Sequence, residues 1–245
     1  MVVKLTLSYD GTNYCGWQVQ NNGLSVQQVL TECLEKLTGK PLKVVGSGRT
    51  DAGVHAEGQV ASFETDNCSI PPENFCKALN TLLPNDIKII KSERADDNFN
   101  ARYSAKGKTY EYRLYKSDVV LPLKERFAHR VNKNISVDKL NKALCLFVGE
   151  KDFKAFCASG SGAKTTVRTV YSATAKQLDN GEIVLTFSGN GFLYNMVRIM
   201  CGTALAYAED KITLLDIEKM FDLGERSFGG RTLPAKALCL KKVEY

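Results

Sequence analysis

The stretch Thr165 to Gly189, TTVRTVYSATAKQLDNGEIVLTFSG, decides the fold class. Thr165 to Lys176 and Gly181 to Gly189 both carry strand character. They flank Asn180-Gly181, the strongest short-range hairpin signal, and Ile183, Leu185 and Phe187 share one face. A hairpin pairs antiparallel. The same alternation opens the chain, with Val3, Leu5, Leu7 and Tyr9 opposite Lys4, Thr6 and Ser8 and a stop at Asp10-Gly11, and it returns from Lys108 to Tyr115.

Helices lie between these strands. Ser25 with Gln28 reads as a capping box ahead of a stripe of Val26, Val29, Leu30, Cys33, Leu34 and Leu37 that ends at Gly39. Leu42 to Val45 reads as a short strand, Val54 to Phe63 as extended, Pro71-Pro72 as the start of a helix to about Leu82, and Ile87 to Lys91 as a strand. Ser136 caps a helix bearing Val137, Leu140, Leu144 and Phe147, stopped by Gly149. Helices from about Leu193 to Ala208 and Leu214 to Phe221 precede a last strand near Ala237 to Val243. Hairpins mixed with helices predict an α+β fold of two similar α/β halves, 1–104 and 105–245, with largely antiparallel sheet rather than a doubly wound parallel one.

Charge is divided unevenly. The chain of 245 residues has 33 basic and 27 acidic side chains, but Met1 to Ser104 holds 10 and 12 and Ala105 to Tyr245 holds 23 and 15. A second half at +8 predicts a polyanionic partner, nucleic acid being the commonest. No apolar run suits a membrane span and the first ten residues lack a signal-peptide core, so the expected location is the cytoplasm. The eight cysteines are never closer than eight positions apart, which excludes Cys-x-x-Cys spacing and predicts reduced, mostly buried thiols. With only His55 and His129, a His-rich metal site or a Ser-His-Asp triad is not expected, and catalysis must use carboxylates, Tyr, Lys or Arg.

Gly46-Ser47-Gly48-Arg49-Thr50-Asp51-Ala52-Gly53-Val54-His55 sets an Arg and an Asp among glycines between two strands. It is no phosphate loop, because no Gly-Lys-Ser/Thr follows and no helix begins there. Either it is a hairpin turn in which Asp51 caps backbone amides and Arg49 is solvated, or Asp51 is a working carboxylate. A non-catalytic RNA-binding module would explain the basic half but not this loop. A small-molecule hydrolase would explain the loop, yet no second-carboxylate pattern accompanies it.

Arg49 to Ala56 resembles the signature loop of the tRNA pseudouridine synthase A family. Further segments agree in order: Tyr9-Asp10-Gly11-Thr12-Asn13-Tyr14-Cys15-Gly16-Trp17-Gln18, Ala78-Leu79-Asn80 to Leu83-Pro84, and Phe99-Asn100-Ala101-Arg102-Tyr103-Ser104-Ala105. Lys108-Thr109-Tyr110-Glu111-Tyr112 and Gly191-Phe192-Leu193-Tyr194-Asn195-Met196-Val197-Arg198 complete a match along essentially the whole chain. It departs at Leu233, Ala237 and Cys239, where family members commonly show Ala, Gly and an aromatic at the edge of the uridine pocket.

The resemblance implies a pseudouridine synthase fold with a central RNA-binding cleft. It implies isomerisation of uridine to pseudouridine at positions 38 to 40 of the tRNA anticodon stem-loop by a homodimer, with no cofactor and no metal. Asp51 would be the catalytic carboxylate, Tyr110 the aromatic stacked on uracil, Arg198 the ion-pair partner of Asp51, and Arg49 a contact to the flipped nucleotide or its phosphate. On a helical wheel Arg198 points away from the apolar stripe of its segment, which by itself reads as a solvated arginine. Trp17 reads as core and His55 as a structural hydrogen-bonding group. Arg102, Lys106, Lys108, Lys164 and Arg168 are expected to form a phosphate track.

Overall fold

Alternation at the start of the chain becomes β1 (Val2–Tyr9), in which Val3, Leu5, Leu7 and Tyr9 are buried while Lys4, Thr6 and Ser8 are half-buried. The structure is a computed structural model that describes residues 1–21, 23–66 and 68–245. The chain divides into two compact units, Met1–Lys106 with Cys239–Tyr245, and Gly107–Leu238.

In the first unit β1 is followed by α1 (Val26–Thr38), β2 (Val45–Gly46), β3 (His55–Glu64), α2 (Phe75–Asn80) and β4 (Ile87–Ala95). β1 pairs antiparallel with both β3 and β4, and the short β2 lies antiparallel on β3 at Val45 and Gly46. Helix α1 buries Val26, Leu30, Cys33 and Leu34, each large aliphatic contributing roughly 1.5–3 kcal/mol. Only half of its expected capping box forms: Ser25 Oγ accepts from Gln28 N at 3.2 Å, but the Gln28 amide donates down the helix to Glu32 instead of returning to the cap. After Pro71-Pro72 the backbone makes a 3₁₀ turn, Pro72–Asn74, before α2, so the helix starts later and stops earlier than periodicity suggests.

The second unit runs β5 (Gly107–Lys116), α3 (Pro122–Glu125), β6 (His129–Val131), α4 (Val137–Cys145), β7 (Gly149–Asp152), β8 (Val167–Gln177), β9 (Ile183–Gly189), α5 (Met196–Ala208) and α6 (Leu214–Leu223). Its sheet takes the order β5-β9-β8-β7, every neighbouring pair antiparallel, with β6 parallel to β5. The hairpin that opened the argument is β8–β9. Its turn is wider than a two-residue one: Leu178 N donates to Glu182 O, Gly181 N donates to Leu178 O, and Asn180 Oδ1 takes the amide of Glu182. Phe147, Phe153 and Phe156 form an aromatic cluster with Phe221 of α6, with ring centroids 4.9 to 5.8 Å apart for the Phe153–Phe156, Phe153–Phe221, Phe156–Phe221 and Phe147–Phe156 pairs.

The final strand, β10 (Leu238–Glu244), lies parallel to β3 and aligns Cys239 with His55 and Leu240 with Ala56. The chain's last residues thus belong with its first and back the strand that leaves the glycine-rich loop. Sheets built almost wholly of antiparallel pairs, accompanied by helices, establish the α+β class. The thiols differ from expectation: only Cys33 and Cys201 are buried, Cys145 is exposed, and the other five are half-buried. Among the described residues no helix is long and apolar enough to cross a membrane.

Candidate active site

The loop from Gly46 to His55 is laced to the segment Tyr9–Trp17 by backbone groups. Trp17 N donates to Thr50 O at 3.0 Å and Gly53 N donates to Tyr14 O at 3.3 Å, one bond on each side of Asp51. Val54 N donates to Asp51 O, closing a turn whose third residue, Gly53, has φ +78°, a conformation that an L side chain resists. At Gly16, φ is +105° and a Cβ would lie 2.5 Å from Thr50 O, so only glycine allows the two backbones to meet.

A buried polar scaffold supports the same loop from below. Gln59 is fully buried; its Oε1 accepts from Ser47 Oγ at 2.6 Å and its Nε2 donates to Gly48 O at 3.2 Å. Tyr9 Oη lies 2.8 Å from Thr50 Oγ1, and burial pushes the Tyr9 phenol far above its ordinary value, so it stays a neutral partner. His55, buried at the start of β3, accepts the Gly11 amide at Nδ1 (3.0 Å). The same nitrogen lies 3.1 Å from Asp10 Oδ1, which also accepts the amide and hydroxyl of Thr12. His55 is therefore a structural hydrogen-bonding group, and Trp17, 3% exposed, is core.

Asp51 is half-buried in this braced loop, and Arg49, two residues earlier, is exposed. Tyr110 and Arg198 belong to the second unit. Tyr110 faces Phe187 across β5–β9 and takes the Phe192 ring edge-on at 5.4 Å and 88°, leaving it 8% exposed. Phe192 lies in the segment that leads into α5. Arg198 departs from the solvated arginine of the helical wheel. Its Nε donates to Leu233 O at 2.7 Å and its Nη1 to Asn195 Oδ1 at 2.6 Å, and it is half-buried. The wheel misleads because α5 is buried almost all round, Val197, Cys201 and Ala208 included.

Two further features of the second unit lie beside Arg198 and Tyr110. Leu233, one of the departures from the family pattern, serves Arg198 through its backbone carbonyl while its own side chain is fully buried, so this hydrogen bond does not depend on side-chain identity. Tyr112, on the same strand as Tyr110, donates to Pro234 O at 2.9 Å and is pushed far above the ordinary phenol range, chiefly by burial. Ser47, Gln59 and Asn195 are the positions that sequence reasoning passed over. A glutamine within the apolar run Val54 to Phe63 was the available signal for one of them, and an asparagine just before a helix for another.

A loop that presents one carboxylate on a braced backbone, with an exposed arginine two residues before it, suits chemistry on an anionic substrate. The sequence matches the description tRNA pseudouridine synthase over residues 6–104 and 143–245, and the chain belongs to that family, whose members are isomerases. It is 40% identical over 243 residues to tRNA pseudouridine synthase A of Clostridium acetobutylicum, covering 99% of each chain. It is 45% identical over 243 residues to the protein of the same name from Clostridium botulinum, again covering 99% of each. With tRNA pseudouridine synthase A of Lacticaseibacillus casei the identity is 45% over 244 residues, covering 99% of this chain and 98% of the other.

Proposed function

We propose that this chain isomerises uridine to pseudouridine at positions 38 to 40 of the tRNA anticodon stem-loop, acting in the cytoplasm as a homodimer without cofactor or metal. Asp51 is the catalytic residue, and Tyr110, Arg49 and Arg198 bind the substrate. The first half carries the catalytic loop and the basic second half completes the uridine pocket.

The observation that supports this reading is the backbone lacing on both sides of Asp51, which holds the main chain that bears this half-buried carboxylate. The reaction breaks the N1–C1′ bond, rotates the uracil and forms the C5–C1′ bond; a proton leaves C5 and N1 takes one up. Composition is unchanged and no electrons are exchanged, so one carboxylate, a stacking surface and a closed pocket suffice. Aspartate is ionised at neutral pH, and a neighbouring cation keeps it so where water is excluded. Tyr110 supplies the stacking face. The second unit holds 20 basic and 14 acidic residues against 13 of each in the first, which supports a phosphate-binding role for it.

The test is tritium release from tRNA carrying C5-labelled uridine. Release is expected with the purified protein alone, and is expected to vanish when the uridines at 38 to 40 are replaced by cytidine. Release that persists from the replaced tRNA would place the reaction elsewhere on the molecule.

A further inference from the structure

We propose that Asn195 is a positioning residue for this reaction, holding the Arg198 guanidinium in one plane and one direction. The proposal rests on the reading of Arg198 as part of the uridine site.

Helix N-caps ordinarily have extended backbone and a side chain that accepts an amide of the first turn. Ser25, Ser136 and Thr213 do this, with φ of −115°, −88° and −103° and side chains accepting from Gln28, Lys139 and Asp216. Asn195, at the N-cap of α5, does neither: its φ is 60° and ψ 6°, and its side chain makes no cap hydrogen bond. Among the described residues the other non-glycine with positive φ is Asp210, just past the end of α5, where a left-handed residue is ordinary. Asparagine tolerates the left-handed region better than most residues, but glycine does so at no cost. The backbone alone therefore does not call for asparagine here.

What the side chain does instead is accept Nη1 of Arg198 at 2.6 Å, while Leu233 O accepts Nε at 2.7 Å and Leu233 N returns a bond to Arg198 O at 3.3 Å. Two acceptors on different nitrogens of a planar group fix both its plane and its roll. All of these partners lie within the second unit, so the guanidinium is oriented before substrate arrives. An outlier backbone that forgoes a cap to serve one arginine is the pattern expected where strain is kept for function.

Three variants test this, each measured for turnover by tritium release, tRNA affinity and melting temperature. Asn195→Gly keeps the backbone conformation and deletes the acceptor. It is expected to melt no lower than the parent and bind tRNA as tightly, with turnover reduced about ten- to a hundredfold, the loss that accompanies one charge-assisted hydrogen bond. Asn195→Asp retains the oxygen and tolerates the same φ, and is expected to recover most of that turnover. A glycine variant as fast as the parent overturns the proposal, and so does a loss that Asn195→Asp does not recover. Arg198→Lys separates the two layers: if it keeps full turnover, the reading of Arg198 fails; if it is slow while Asn195→Gly is fast, only the role of Asn195 fails.

Discussion

The loop around Asp51 and the helix start around Arg198 are positioned by different physics. Backbone bonds flank the working residue of the first: two inter-segment amide bonds lie one on each side of Asp51, and a glycine at 16 lets Thr50 O approach without a side chain intervening, while the side chains of Gln59 and Tyr9 brace only its neighbours Ser47, Gly48 and Thr50. Side chains hold the second: an asparagine oxygen and a carbonyl grip the guanidinium, and Phe192 leans on Tyr110. A backbone-held site should accept a change of chemistry at its working residue without losing its shape, whereas a side-chain-held site should lose geometry with each partner removed.

The largest effect tests that contrast directly. Asp51→Asn leaves the Val54 N to Asp51 O turn bond available, since that bond uses only main chain, and removes the charge and the reactive oxygen. Pseudouridine formation is expected to be undetectable while tRNA affinity stays close to that of the parent, since the reading proposed above draws affinity from phosphate contacts away from Asp51. Circular dichroism, filter binding and nucleoside analysis would measure the three properties, with mass spectrometry excluding deamidation back to Asp. Substantial product from a verified asparagine variant would remove Asp51 as the catalytic residue.

Gly16→Ala attacks the other half of the comparison by disturbing the backbone and leaving every titratable group in place. With φ at +105° and the new Cβ 2.5 Å from Thr50 O, the brace must shift. The strained backbone alone costs about 1–3 kcal/mol, and each kcal/mol lowers the melting temperature by about 2–4 °C in a chain of this size. Turnover below the melting transition is expected to fall up to about a hundredfold, as displacement of a catalytic group by an ångström does. A variant with normal stability and normal turnover would show that the lacing at Thr50 is dispensable.

Sequence patterns exposed the fold well where periodicity is strong and neighbours are few. Ile183, Leu185 and Phe187 alternate because one face of β9 is buried, and all three are buried. The same logic failed on α5, since a helix buried nearly all round has no solvent stripe from which to read a direction. Asp51 and Arg49 were legible as a charged pair among glycines; the support beneath them was not. Gln59 joins Ser47 and Gly48 across eleven or twelve positions, and Leu233 reaches Arg198 across 35, distances at which no local pattern carries information. The role of Tyr9–Trp17 as a brace was likewise hidden, because it acts through amides and carbonyls that every residue possesses.

The smallest expected effect comes from Tyr110→Phe, and it sharpens the account of the side-chain-held half. The ring faces Phe187 across the β5–β9 ladder and meets Phe192 edge-on, and phenylalanine preserves both contacts together with the aromatic face that the proposed stacking needs. Stacking on an aromatic side chain is worth about 1–3 kcal/mol per base and does not need the hydroxyl. The tRNA affinity of Tyr110→Phe should therefore match that of the parent. If the phenol takes part in moving the C5 proton, turnover falls by about tenfold, the equivalent of one lost hydrogen bond. Single-turnover tritium release measured beside equilibrium binding separates these quantities. A drop in affinity would mean that the hydroxyl contacts the nucleotide in the ground state, and unchanged turnover would reduce Tyr110 to a stacking surface positioned by Phe192.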